Sequence, residues 1–241
     1  MKIALIGYGK MGKAIEQIAL QKKYTIAYQV DYQNKSLVTQ LTPQTVDIAI
    51  EFSQPEAAYG NIYTCLQQGI PVISGTTGWL THKPAIEKYC QEKHGTFFYA
   101  ANFSLSVQIL FKLNTLLAKY MNHLPDYAVS IEETHHITKK DHPSGTSIQL
   151  AEDIIKNLPT KTKWINAATQ DTDTVGIVSQ RISESLGTHI INYSSNLESL
   201  ELKHTAHSRE SFAQGVILVA EWIRGKKGVL GMDDFLNFEC N

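Results

Sequence analysis

The stretch KIALIGYGKMGKAIEQIALQ, Lys2 to Gln21, decides the fold. KIALIG is a short apolar run and reads as a buried strand. It breaks into GYGKMG, Gly7 to Gly12, and KAIEQIALQ follows with Ile15, Ile18 and Ala19 at helical spacing. Strand, G-x-G-x-x-G and helix in that order lift the glycine motif above a chance match. Gly7 suits a tight turn, Gly9 lets backbone amides approach a pyrophosphate, and Gly12 lets the helix pack on the strand. The helix start then offers unpaired N–H groups and a partial positive charge to phosphates. Tyr8, Lys10 and Met11 complete the phosphate-facing loop.

The same alternation continues outward. YTIAYQVD is a second strand ending at Asp31, about 19 residues after Gly12, where an acid can hydrogen-bond the adenosine ribose. Lys35 lies close enough in sequence to meet a 2′-phosphate, so the choice of NADH or NADPH stays open. VDIAIEFS is a buried strand; QPEAAYGNIYTCLQQG is a helix with Pro55 near its start and Gly69 as its stop. IPVISGTTGW, a helix around residues 85–93, and TFFYAANFS follow. This pattern predicts an α/β, Rossmann-type doubly wound parallel sheet. Ligands in such sheets bind beyond the carboxyl ends of the strands. Three of those ends carry small or amide residues: the glycine loop, Gly75-Thr76-Thr77, and Ala100-Ala101-Asn102-Phe103.

The second half changes character. SVQILFKLNTLLAKYMNHL is a long amphipathic helix with Leu110, Leu113, Leu117, Tyr120, Met121 and Leu124 repeating near the helical period. YAVSIEETHH alternates like a strand, and SIQLAEDIIKNL is a helix stopped by Pro159. Polar strands follow in GIVSQRIS, GTHIINYSS and ESLELKHTAHS, which suggests an open mixed sheet with one solvated or partner-covered face. SFAQGVILVAEWIRGKKG is again a core helix. The expected organisation is a dinucleotide-binding domain, 1–104 and 209–241, interrupted by an α+β domain for substrate binding and oligomerisation, 105–208.

ETHHITKKDHPSGTS, Glu133 to Ser147, concentrates proton carriers before a tight turn. Ser144, Gly145 and Thr146 open a helix, and free amides with a hydroxyl make a carboxylate or phosphate site. His135 and His136 end the preceding strand on opposite faces. A histidine titrates near neutral pH, and a lysine donates a proton or holds a carboxylate. No metal is expected: adjacent histidines rarely converge on one ion, so a set of His135, His136 and His142 is disfavoured, and His142 is expected in solvent.

The whole chain sets limits on these readings. It has 241 residues, 43% of them hydrophobic, and 22 basic against 23 acidic side chains. A net charge of -1 gives no pull toward nucleic acid or an anionic membrane. The cysteines, Cys65, Cys90 and Cys240, are scattered and odd in number, which fits a reducing cytoplasm rather than a disulfide framework. MKIALIGYG is too short an apolar run for a signal peptide, and no run of about 18 apolar residues suggests a membrane span.

The motif E-x-H-H-x-x-K-x-D-x-P-S-G-T, standing here as Glu133, His135, His136, Lys139, Asp141, Pro143, Ser144, Gly145 and Thr146, resembles the dihydrodipicolinate (4-hydroxy-tetrahydrodipicolinate) reductase family. The resemblance extends to GYGKMG, EFSQPEAA, SGTTGW, AANFS and HTAHSRESFAQG. It implies NAD(P)H-dependent reduction of a small cyclic dicarboxylate in lysine and diaminopimelate biosynthesis, by a homotetramer. Carried over residue by residue, it implies His135 as acid/base and Lys139 as proton donor. His136, Ser144, Gly145 and Thr146 would hold substrate. Gly7 to Gly12, Gly75 to Thr77 and Ala100 to Phe103 would line the cofactor, with Asp31 a weaker transfer. His142 and Ser147 stand where the family usually has alanine. Two other readings compete: another two-domain dehydrogenase, such as an aspartate dehydrogenase, and a redox sensor that binds NAD(P) without turnover. The His-His-x-x-Lys with Pro-Ser-Gly-Thr argues against the first, and the second would not need a histidine-lysine pair opposite an anion-binding turn.

Overall fold

A computed structural model describes residues 1–183, 185–208 and 210–237. The chain divides into two compact units. One is Met1–Ser104 with the described part of Arg209–Asn241; the other is Leu105–Ser208.

The first unit is built on six parallel strands. They are β1 (Lys2–Ile6), β2 (Thr25–Val30), β3 (Ile48–Glu51), β4 (Val72–Ser74), β5 (Thr96–Tyr99) and β11 (Gly228–Leu230), in the spatial order β11-β5-β4-β3-β1-β2. Both faces are covered, which is why β1 and β3 are almost continuously apolar. In β1, Ile3 and Leu5 join a core with Ile15 and Ile18 of α1 (Lys10–Gln21) and Val216 and Val219 of α6 (Glu210–Trp222). Ala4 and Ile6 point the other way, to Ala58 and Ile62 of α2 (Pro55–Gln67) and Ile86 and Cys90 of α3 (Lys83–Glu92). From β1 the chain winds to β2 on one side, then crosses to β3, β4 and β5 on the other. The direction reverses between β1 and β3, so the ligand crevice expected of such a sheet opens beyond their carboxyl ends.

The second unit carries a mixed sheet of five strands in the order β10-β9-β6-β8-β7. These are β6 (Ala128–His135), β7 (Lys163–Ile165), β8 (Thr174–Arg181), β9 (Thr188–Ser194) and β10 (Ser199–Thr205). Central β6 runs parallel to β8 and antiparallel to β9. Helices α4 (Leu105–Met121) and α5 (Gly145–Asn157) pack on one face around Leu110, Ile131, Leu150, Ile154, Ile177 and Tyr193. The register sets Glu133 opposite Ser179 on β8 and His189 on β9, and His189 opposite His204 on β10. Polar groups thus form a row across the sheet.

Two expectations are corrected. The packed stripe of α4 is Val107, Leu110, Asn114, Ala118 and Met121, whereas Leu113, Tyr120 and Leu124 are 46%, 65% and 48% exposed. Asn114 is buried because its amide donates to the Leu150 carbonyl at 3.0 Å. The core helix read over SFAQGVILVAEWIRGKKG ends at Trp222 as α6; Gly228 already opens β11, and the short helix α7 (Met232–Leu236) follows. Arg209 and Cys240 lie outside the described residues.

Candidate active site

In the second unit, β6 alternates buried and accessible residues, so Glu133 and His135 share the helix-covered face. Glu133 is 1% exposed and works as a clamp. Both of its carboxyl oxygens accept from the Ser144 amide, at 3.1 and 3.0 Å, and Oε2 accepts from Ser147 Oγ at 2.8 Å. Arg181, at the end of β8, donates Nη2 to Oε1 at 3.0 Å and to the Asp141 carbonyl at 2.5 Å. One acid therefore ties together the strand that carries His135, the loop that carries Lys139 and the start of α5.

Ser144 caps that helix, its Oγ accepting from the Ser147 amide at 3.2 Å and lying 3.2 Å from His189 Nε2. Its amide and hydroxyl are thus engaged internally. Gly145 and Thr146 open the helix, so their N–H groups have no acceptor within it. A side chain on Gly145 would meet nothing within 4 Å, so that backbone faces open space. Lys139 Nζ sits 2.9 Å from Asp141 Oδ2. His136 lies just past the strand, its Nδ1 2.8 Å from Thr138 Oγ1, and His142 is exposed as expected.

Electrostatics divides the roles. Burial pushes the Glu133 carboxyl up, but hydrogen bonds from Ser144, Ser147 and Ser179 outweigh it and hold it at about 2. Burial lowers His135 to about 4; Glu133 opposes this while Lys139 and Arg181 reinforce it. His189, in edge contact with His135 at 5.0 Å between ring centroids, is brought to about 3 by burial and by His135 itself. Both rings are therefore neutral at neutral pH. Gly187 completes the wall: its φ is +148°, and a Cβ there would lie 3.1 Å from His135 Nε2.

Glu133, His135 and His189 each present a ligand atom within 4.8 Å of the others. A cation entering there would compete with Arg181 for Glu133, whose oxygens already hold amide, hydroxyl and guanidinium donors.

The first unit's glycines divide by what a side chain on each would meet. Gly7 has φ +95°, and a Cβ on it would lie 2.0 Å from the Phe52 carbonyl oxygen. A Cβ on Gly12 would lie 2.3 Å from the Gly7 carbonyl oxygen, whereas one on Gly9 would meet nothing within 4 Å. Turn and helix are locked together, and the backbone between them faces open space, which fits a pyrophosphate at the start of α1. Tyr8 donates to Glu16, Lys10 is exposed, and Met11 packs against the core. Asp31 Oδ1 accepts from the amides of Gln33 at 2.8 Å and Asn34 at 3.3 Å, which fixes the carboxyl at the end of β2. Gly75 lies against the Phe52 ring; Thr76 is buried, and Thr77 is exposed. Ala100 and Phe103 are 7% and 2% exposed, so their side chains belong to the core and only their backbone is available to a ligand. Ala101 is exposed, and Asn102 Oδ1 accepts from the Ser104 amide at 2.8 Å.

Residues 1–103 match the family model for the dihydrodipicolinate reductase N-terminus, and residues 106–236 match that for its C-terminus. The chain belongs to the dihydrodipicolinate reductase family. As a member of that family it is an oxidoreductase with a Rossmann-type nucleotide-binding first unit. It is 41% identical over 237 residues to a 4-hydroxy-tetrahydrodipicolinate reductase of Christiangramia forsetii, covering 98% of each chain. It is 35% identical over 207 residues to the enzyme of that name from Methanosarcina barkeri, covering 84% of this chain and 77% of the relative. Its fold matches a dipicolinate-bound dihydrodipicolinate reductase from Paenisporosarcina sp. TG-14, with a TM-score of 0.78 at 20% identity over 98% and 99% of the two chains. An aspartate dehydrogenase from Thermotoga maritima shares the fold at a lower TM-score of 0.50 and 13% identity, over 94% and 97%.

Proposed function

We propose that this chain reduces 4-hydroxy-tetrahydrodipicolinate to tetrahydrodipicolinate with a reduced nicotinamide cofactor, a step of lysine and diaminopimelate biosynthesis. The observation that carries this reading is the Glu133 clamp, which holds His135, the Lys139 loop and the open helix start at Gly145 in one arrangement in a chain of this family. The 4-hydroxyl leaves as water to give a conjugated C=C–C=N ring, to which the cofactor, when bound, would supply the hydride while one proton completes the reduction. Gly145 and Thr146 receive one substrate carboxylate on their amides and the Thr146 hydroxyl, and His136 assists. Ser144 is a support for this turn rather than a substrate contact, because its donors are already spent. His135, held neutral, orients the ring by hydrogen bonding and accepts rather than donates a proton in the resting state. Lys139 delivers the proton where negative charge develops, steered by Asp141.

NADH is the preferred cofactor in this reading. A 2′-phosphate at the end of β2 would meet the fixed Asp31 carboxyl, and Lys35 lies instead over the Tyr32 ring, with Nζ 5.6 Å from its centroid. The open face of the second sheet builds a homotetramer, to be tested by light scattering. Cys65 and Cys90 are free and buried, and no helix among the described residues is long and apolar enough to cross a membrane; both fit a cytoplasmic enzyme. Parallel assays with NADH and NADPH test the reading as a whole. Oxidation must depend on the dicarboxylate and run faster with NADH. Equal oxidation without substrate contradicts the function, and faster oxidation with NADPH contradicts the Asp31 argument.

A further inference from the structure

Glu51 closes β3 and is 0% exposed, yet neither the proton chemistry nor the phosphate loop uses it. Burying a carboxyl is costly unless its oxygens find donors, and an apolar residue would fill the space without that cost. The donors around Glu51 come from the loops after β3 and β4 and from the last residue of β4. Oε1 accepts from the Ser53 amide at 3.0 Å, from the Ser53 hydroxyl, and from Thr76 Oγ1 at 2.9 Å. Oε2 accepts from Ser74 Oγ at 2.7 Å. Ser53 follows β3, Ser74 ends β4, and Thr76 lies in the loop after it.

The surroundings leave these loops little freedom. Thr76 Oγ1 also accepts from the Ser53 amide at 2.9 Å, and the Thr76 carbonyl accepts from Trp79 Nε1 at 2.7 Å. Asn61 Nδ2 donates to Ser53 Oγ at 3.2 Å. Between the two loops sits Phe52, whose carbonyl presses on Gly7 and whose ring presses on Gly75. The glycine turn, the Phe52–Ser53 segment and the Gly75–Thr76 segment therefore form one contiguous floor. It lies at the reversal of strand order between β1 and β3, where a ligand is expected. Glu51 is the acceptor beneath that floor that both loops share.

We infer that Glu51 is a positioning residue for the nicotinamide cofactor, holding the loops after β3 and β4 in the one conformation that receives it. The inference rests on the reading that this rim binds the cofactor. Glu51 does not touch the ligand; it acts through Ser53 and Thr76. Its loss should therefore weaken cofactor binding while leaving the proton-transfer residues of the other unit intact.

The test is a fluorescence titration of NADH into the full chain without substrate, paired with steady-state kinetics and a thermal melt. Glu51→Gln should raise the cofactor Kd and KM about tenfold, because a slackened first contact layer costs affinity of that order. kcat at saturating cofactor and KM for the dicarboxylate should stay within about twofold of wild type. Ser74→Ala, which removes one donor to Glu51 and lies below the rim, should shift Kd the same way by about threefold. A lower Tm with an unchanged Kd would reduce Glu51 to a structural role and overturn the inference. Should the Gln variant fail to fold, Ser74→Ala decides alone, and a wild-type Kd there overturns it. A wild-type chain that binds neither NADH nor NADPH overturns the cofactor reading and this inference together.

Discussion

Replacing Glu133 by Gln keeps the shape of the clamp and removes its charge. Moving this carboxyl from its usual 4.5 to about 2 favours the ionised form in the folded state by roughly 3 kcal/mol, at about 1.36 kcal/mol per pH unit. The sign follows from the direction of the shift. The folded-state value lies below the unfolded one, so the stabilisation is complete above about 4.5 and is lost as pH falls toward about 2. Gln mimics the neutral form and also leaves Arg181, 3.0 Å away, without its counter-charge. At pH 7, Glu133→Gln should cost roughly 3 kcal/mol, or roughly 10–20 °C in the Tm of a unit of about 100 residues. Melts of wild type and variant from pH 7 down to pH 3 would show the gap narrowing below about pH 4.5. The loosened turn at Gly145 should also raise KM for the dicarboxylate about tenfold. A variant as stable as wild type at pH 7, or a gap that ignores pH, would refute the clamp.

Further outcomes follow from the same geometry. Gly9→Ala should fold with wild-type Tm and bind cofactor at least about tenfold more weakly, because its side chain fills only ligand space. Gly7→Ala should instead lose stability outright, since its Cβ would lie 2.0 Å from the Phe52 carbonyl oxygen at a φ of +95°; equal Tm for the two variants would contradict the packing. Lys139→Ala should lower kcat by about 100-fold or more with an unchanged NADH Kd, measured by stopped-flow and fluorescence titration. His135 and His189 have folded values of about 4 and about 3, below the usual 6.5. Their neutral burial stabilises the fold above about pH 6.5, and that contribution is lost as pH falls through the folded values. His189→Asn should flatten the acid limb of a Tm-against-pH curve, and an unchanged limb would show that this ring is not held neutral.

The first unit was the more legible in the sequence because its signals are local. β1 and α1 announce themselves through an apolar run, three spaced glycines and a helical period within twenty-one residues. β7 and β11 each have three residues, too few to show any period, and they exist only through pairing with β8 and β5. In α4 hydrophobicity alone misjudged the face: Asn114 and Ala118 are buried where Leu113 and Tyr120 are not, because close packing against α5 favours smaller side chains and supplies a carbonyl for the amide. The motif from Glu133 to Ser147 was visible, but the work of Glu133 and the internal role of Ser144 were not. They depend on Arg181, 48 residues away from Glu133, and on His189, 45 away from Ser144, which only the strand register brings together. Ser147 is likewise one of the donors that hold Glu133.

The most direct test of the central claim follows the hydride itself. NADH carrying deuterium at the transferred position would be incubated with the protein and with 4-hydroxy-tetrahydrodipicolinate generated in situ by the preceding synthase, and the product read by mass spectrometry. The account predicts tetrahydrodipicolinate carrying one deuterium, formed by wild type and all but lost in Lys139→Ala. Unlabelled product, or no product from a folded chain that binds both cofactor and dicarboxylate, would contradict it.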